Sequence, residues 1–534
     1  MIRNPILPGF NPDPSICRVG GDYYIATSTF EWYPGVQIHH SRDLANWTLV
    51  RRPLERADQL DMRGAPDSCG VWAPCLSHAD GRFWLIYTDV KRHEGNFKDA
   101  HNYLVTAERI EDAWSERVRL NSSGFDPSLF HDDDGRKWLV NQQWKHDADS
   151  VGGRPRGTAF DGILLQEYDH AQGRLVGPIR NIFAGSPLSL VEGPHLFKRD
   201  GWYYLTTAEG GTGYDHAVTL ARSRDIAGPY ELHPETHLIT SRDAPHAPLQ
   251  RAGHGQIVET PTGETYHTHL CGRPLAGRRC PLGRETALQK LVWHADGWPR
   301  LAQGGLVPDL AVPAPTDAEP AAPATPTAVE RVFDGDRLPP EFQWLRTPQP
   351  ERLFTLTGAA LRLHGRESIG SWFEQSLVAR RQEHFAYRAE TRLAFEPDTY
   401  QQAAGIVTYY NRFKFHFLAV TWTGGIGRSL TIMSCPGDWP DGRLAFPLGA
   451  PVAIPDGPVG LAVEVDHAAQ RFYLRGPDGW ERIGPELDAS LISDEAGRGE
   501  HGSFTGAFVG MMAFDTSGRA RAADFDWFKY APSE

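Results

Sequence analysis

Several features that would narrow the chemistry quickly are missing from this chain. Its 534 residues include six cysteines, Cys17, Cys69, Cys75, Cys271, Cys280 and Cys435, with no CxxC pair and no regular spacing. That argues against a disulfide framework or a zinc site and suits reduced thiols in a cytoplasmic protein. No run of about 18 apolar residues occurs, and the opening MIRNPILPGFNPDPS lacks the apolar core of a signal peptide, so neither membrane span nor leader is expected. Basic charge is not in excess either. The formal net charge of −13 opposes binding to nucleic acid or an anionic membrane. Apolar residues at helical i, i+3, i+4, i+7 spacing are also nearly absent.

What is present is β-type sequence with ample core material. Hydrophobic residues make up 40% and aromatics 11%, enough for packed folding, and 534 residues exceed one ordinary core, so two or three domains are expected. Aromatic segments recur in the first 300 residues as DYYIATST, RFWLIYTD, RKWLVNQQ, WYYLTTAE and ETYHTHLC. Tyr24, Trp84, Trp138, Tyr203 and Tyr266 mark them at spacings of 60, 54, 65 and 63 residues. Four follow Gly-containing turns such as ADGR, DDGR and RDGW, which are hairpin signals. Repeats of this length built from short strands predict one blade each, and so a five-bladed β-propeller over residues 1–305.

Eleven or twelve residues before each marker stand Asp13, Trp72, Asp126, Glu192 and His254, in NPDPSI, VWAPCL, GFDPSL, VEGPHL and AGHGQI. One repeat position at the entry of each blade's inner strand forms a ring around the propeller axis. Three carboxylates in such a ring suit glycoside hydrolysis, which needs one protonated acid at the leaving oxygen and a second carboxylate that activates water or attacks the sugar. A third carboxylate beside the acid would keep it protonated by like-charge repulsion. Trp72 replaces an acid in the ring and is a candidate wall against the C–H faces of a sugar, as are Phe30, Phe125 and Trp144. His254 is a candidate hydrogen-bond partner in the channel. No acid cluster at ligand spacing accompanies it, so no metal is expected. His39 and His40 lack a third ligand and receive no role.

The succession NPDPS, WAP, GFDPS and EGPH resembles glycoside hydrolase family 43. The phrases STFEWYPGV, GVWAPCLS, YTDVK, LNSSGFDPSLFHDDDGRKWLVN, TAEGGT and CPLGRETA resemble its two-domain β-xylosidases over nearly the whole chain. The resemblance implies an inverting mechanism with Asp13 as general base, Glu192 as general acid and Asp126 orienting Glu192 and raising its pKa. It also implies sugar binding by Arg284, and it underlies the choice of Phe30 and Trp144. It implies an exo-acting enzyme that releases xylose from the non-reducing ends of β-1,4-xylooligosaccharides, with side α-L-arabinofuranosidase activity. The alternatives are a dedicated arabinofuranosidase and, in another class, a non-catalytic sugar-binding propeller. No cofactor is expected, although some family members hold calcium at the position of His254, and a homo-dimer or tetramer is left open.

From residue 306 the composition changes. VPDLAVPAPTDAEPAAPATPTAVE is rich in Pro and Ala and reads as an exposed linker over 306–328. Strand patterns return over 329–534, as in LAVEVDH and RFYLRGPDGWERIG, and predict an antiparallel, jelly-roll or lectin-like β-sandwich. Phe413, Phe415 and Phe417 alternate with Lys414 and His416, which predicts a strand with one buried face. The resemblance implies that a loop near GSFTGAFVG closes one end of the propeller pocket with Phe504, while Phe508 belongs to the core.

Overall fold

In the computed structural model, residues 1–95, 97–147, 159–316, 327–437, 443–497 and 503–533 are described. Among them the regular structure is β-strand, apart from two short 3₁₀ turns at Pro350–Arg352 and Ala489–Leu491. Five antiparallel sheets of four or five strands follow one another along the chain and form the predicted propeller. Their inner strands are Ser15–Val19, Gly70–Ala79, Ser128–His131, Glu192–Arg199, and the pair Gln250–Gly253 and Ile257–Glu259. The marker residues lie on the second strand of each blade: Tyr24 pairs with Cys17, Trp138 with Phe130, and Tyr266 with Val258.

The serine of each Asp-Pro-Ser turn latches neighbouring blades together. Ser15 Oγ accepts from the Leu76 amide of blade 2 at 2.9 Å and donates to Gln256 Oε1 of blade 5 at 2.9 Å. Ser128 Oγ donates to the Pro194 carbonyl of blade 4 at 2.6 Å. The ring is closed by the N-terminal segment, where Ile2–Arg3 pairs with Ala311–Val312 and Asn4 bonds the backbone of Leu288 and Asp309. The start of the Pro/Ala-rich stretch is therefore bound to the propeller. Residues 317–326 of the expected linker lie outside the described residues.

Two packed antiparallel sheets form the second half as a β-sandwich. One contains Phe342–Leu345, Ser376–Arg381, Gln402–Asn411, Lys414–Thr423, Gly427–Pro436 and Phe508–Asp515, and it gains an edge strand, Trp32–Tyr33, from the propeller. This sheet packs on both sides, which corrects the expectation for residues 413–417. Phe415 and Phe417 join a core shared with Phe10, Phe30, Trp32 and Trp72, whereas Leu418 and Val420 face the second sheet. Lys414 and His416 are buried as well, and each is hydrogen-bonded. Trp32 and Phe508 stack at 3.7 Å with ring planes 11° apart, so Phe508 is core at the junction of the two halves.

Candidate active site

The five ring positions do converge, with a one-residue correction. Asp13, Asp126 and His254 themselves adopt left-handed backbone, with φ of 56°, 52° and 41°. In blades 2 and 4 that conformation falls one residue later, at Ala73 (φ 33°) and Gly193 (φ 56°). Those blades carry register irregularities just there, between Trp72 and Cys75 and between Glu192 and His195. The bulge shifts which residue turns toward the axis. Gly193 is required sterically, because a Cβ there would lie 2.7 Å from the His254 ring.

Asp13 is 5% exposed and held from both oxygens. Ser28 Oγ donates to Oδ2 at 2.6 Å, Arg284 Nη1 donates to Oδ1 at 2.9 Å, and His254 Nδ1 lies 3.5 Å from Oδ1. Burial alone would raise its pKa, but the guanidinium and imidazole outweigh that and hold the carboxyl well below the usual range. Glu192 lies under opposite forces. Burial first, and then the negative charge of Asp126, push it up to about 8. Asp126 accepts from the Gly193 amide at 3.1 Å, next to Glu192 in the chain, and burial pushes it up to about 6. One acid is thus kept ionised and another protonated within one buried ring, the division of labour that general base and general acid require.

Arg284 is buried and does not pair with Glu285, which is held by Arg273. Its Nη2 donates to the Phe504 carbonyl at 3.0 Å, while its Nε is buried with no hydrogen-bond partner among the described residues. Aromatic rings complete the wall. Trp72 lies 5.8 Å from Phe30, 5.5 Å from Phe125 and 5.7 Å from Phe504. Trp144 stands 6.3 Å from Phe125. All the candidate residues therefore gather at one end of the propeller, with Phe504 brought in from the sandwich.

Two further residues are not apparent in the sequence. Lys98 Nζ sits 4.4 Å from the centre of the Trp144 ring and within 6 Å of Trp72 and Phe125. Burial lowers its pKa to about 8, partly offset by Glu192. His93 packs against Trp72 and Phe504. Both lie in the loop joining Arg82–Arg92 to Asp99–Ala107, outside the repeated motif, so spacing could not single them out. His39 is buried in its blade and His40 bonds Asp22 at 2.8 Å, away from the ring.

Calcium takes six to eight oxygen ligands, waters among them, and the protein supplies few of them around His254. Its neighbours include the imidazoles of His195, His216 and His267, each depressed by burial. The adjacent carboxylate, Asp13, is already engaged. Among the described residues no group of three or more metal-ligating side chains is found. Among the same residues no helix is long and apolar enough to cross a membrane.

Three carboxyl groups and an aromatic wall gathered in one propeller ring suit glycoside hydrolysis. Residues 2–299 match the model of glycosyl hydrolases family 43, and residues 330–531 match the β-xylosidase C-terminal concanavalin A-like domain. The chain belongs to glycoside hydrolase family 43. It is 58% identical to "Xylosidase/arabinosidase 43B" of Humicola insolens, over 99% of this chain and 98% of that protein. It is 48% identical to a Bacillus subtilis "Beta-xylosidase" over 99% of both chains. The crystal structure of a Bacillus halodurans xylan β-1,4-xylosidase superposes with a TM-score of 0.94 at 50% identity, covering 99% of this chain and 100% of that one.

Proposed function

We propose that the protein is an exo-acting β-xylosidase that removes single xylose units from the non-reducing ends of β-1,4-xylooligosaccharides with inversion at the anomeric carbon. The observation that carries the roles is the opposite displacement of two carboxyl groups, Asp13 held low by Arg284 and Glu192 pushed up to about 8. In this reading Asp13 takes a proton from water as the water oxygen bonds to the anomeric carbon. The glycosidic C–O bond breaks, and Glu192 gives its proton to the leaving oxygen. Asp126 keeps Glu192 protonated and, through the Gly193 amide, positions it. Trp72, Phe30, Phe125 and Trp144 form the apolar walls, Arg284 and His254 face hydroxyls, and Phe504 closes the glycone end.

Side activity on α-L-arabinofuranosides accompanies the main one, because the two sugars present similar hydroxyls near the cleaved bond. The Humicola relative carries both activities in its name. The free and mostly buried thiols suit a cytoplasmic setting. Xylotriose labelled at its reducing end tests exo-action: labelled xylobiose and free xylose must appear first. Early labelled xylose would contradict attack from the non-reducing end, and intact xylotriose beside rapid arabinoside cleavage would favour a dedicated arabinofuranosidase.

A further inference from the structure

Phe504 reaches the propeller on the segment between the strands Gly479–Asp488 and Phe508–Asp515. A cover that must exclude everything beyond one sugar needs a fixed height, and hydrogen bonds at the end of an exposed loop would not provide it. Upstream of Phe504, Asp494 is completely buried and forms an ion pair at 2.8 Å with Arg251, itself completely buried on the inner strand of blade 5. Arg251 also reaches Glu495 Oε1 at 3.0 Å and donates from Nε to the Thr212 carbonyl at 2.9 Å. Glu495 accepts from the Cys280 amide at 2.9 Å. Charges this deep are tolerated only when paired, and the cluster is held by the hydrogen bonds of Arg251 Nε and Nη1, Asp494 Oδ1 and Glu495 Oε2 around the ion pair.

Two bridges carry that arrangement to the cover without passing through residues 498–502. The Tyr410 hydroxyl donates to Asp494 Oδ1 and accepts from the Thr505 amide at 2.8 Å. Lys414 Nζ donates to the Ser493 carbonyl at 2.7 Å and to Ser503 Oγ at 2.9 Å. The cover is seated by the Phe504 amide on Ser68 Oγ at 3.0 Å and the Ala507 amide on the Pro281 carbonyl at 2.9 Å. Gly283 leaves room for it, since a Cβ there would lie 2.3 Å from the Thr505 carbonyl.

We propose that Arg251, Asp494, Glu495 and Tyr410 are positioning residues that set the height of Phe504 over the glycone and so determine how tightly the terminal sugar is enclosed. The inference rests on the glycosidase reading for its kinetic consequence but not for its structural one. Tyr410→Phe removes the hydroxyl and keeps the ring. Hydrogen exchange of the peptide around Phe504 reads the cover without substrate, and exchange should accelerate at Phe504 and its neighbours as well as at Thr505. With xylobiose, KM should rise roughly five- to tenfold, the worth of one or two hydrogen bonds, while kcat stays within about twofold. Inhibition by xylose should weaken in parallel. Glu495→Gln, at a less buried position, should repeat the pattern at smaller amplitude. Faster exchange confined to Thr505 in Tyr410→Phe, with the amides of Phe504 and the rest of the cover unaltered in both variants, overturns the proposal. So does an unchanged KM beside a lowered melting temperature. Inactivity of the wild type on xylobiose would instead overturn the substrate assignment, and the exchange result would still decide this one.

Discussion

Replacing Arg284 by Met separates the electrostatic account of Asp13 from any purely steric one. The side-chain stem survives, but Asp13 loses its 2.9 Å partner and Phe504 loses a 3.0 Å hydrogen bond to its carbonyl. Burial is the largest influence on Asp13 and acts to raise its pKa, and Arg284 is the largest influence opposing it. Removing one member of a buried pair costs about 3–5 kcal/mol. The protein can avoid that cost by protonating Asp13, which disables a general base. Loss of a working general base predicts a fall in kcat/KM on the order of 10²–10³-fold near pH 6. The pH profile identifies the route. In the wild type the acid limb should lie below about pH 4, the usual carboxylate range, and the base limb near 8, where Glu192 loses its proton. In Arg284→Met the acid limb should move upward while the base limb does not fall. Arg284→Lys, which keeps the charge but not the fork, should lie between the two. An Arg284→Met enzyme with kcat/KM within about fivefold of wild type and an unmoved acid limb would refute the assigned role of the ion pair.

Glu192→Gln should lose on the order of 10²–10⁴-fold in turnover. Its folded pKa is raised to about 8, so the native state holds more protons than the unfolded chain above the ordinary carboxylate range, and wild-type stability declines as pH rises toward 8. The melting temperature of Glu192→Gln relative to wild type should therefore increase between pH 5 and pH 8, and a constant difference would contradict the burial argument. Gly193→Ala places a Cβ 2.7 Å from the His254 ring at φ 56° and should abolish most activity, read against retained secondary structure by circular dichroism. Phe504→Ala opens the closed end, and KM for xylobiose should rise roughly tenfold or more with a smaller change in kcat.

The propeller was legible because a hairpin repeats its chemistry: glycine turn, aromatic strand, and an inner-strand entry at fixed distance. The same repeat exposed Asp13, Asp126 and Glu192 as one set, although the bulges in blades 2 and 4 displace Trp72 and Glu192 by one residue from strict equivalence. What escaped the sequence is what pairs across long separations. Trp32–Tyr33 reads as part of blade 1, yet it completes a sheet more than 300 residues away by pairing with Trp344 and Leu345. Lys414 reads as the polar side of an alternating strand, and its burial is explained only by Ser493, Asp494 and Ser503 folding over that face and accepting hydrogen bonds from its ammonium. Lys98 lies in no repeat position, so only the fold reveals its ammonium over Trp144. The serines of the Asp-Pro-Ser turns look like ordinary turn residues until their partners on neighbouring blades are seen.

The central claim is that Asp13 activates water for a single displacement assisted by Glu192. It is tested most directly by following the anomeric proton signals of xylobiose during its first seconds with the wild-type enzyme. α-Xylose should appear early in excess over the anomeric mixture that the released reducing-end unit contributes, and should then relax to equilibrium by mutarotation. An early excess of β-xylose over that mixture would mean retention through a covalent intermediate and would contradict the role given to Asp13.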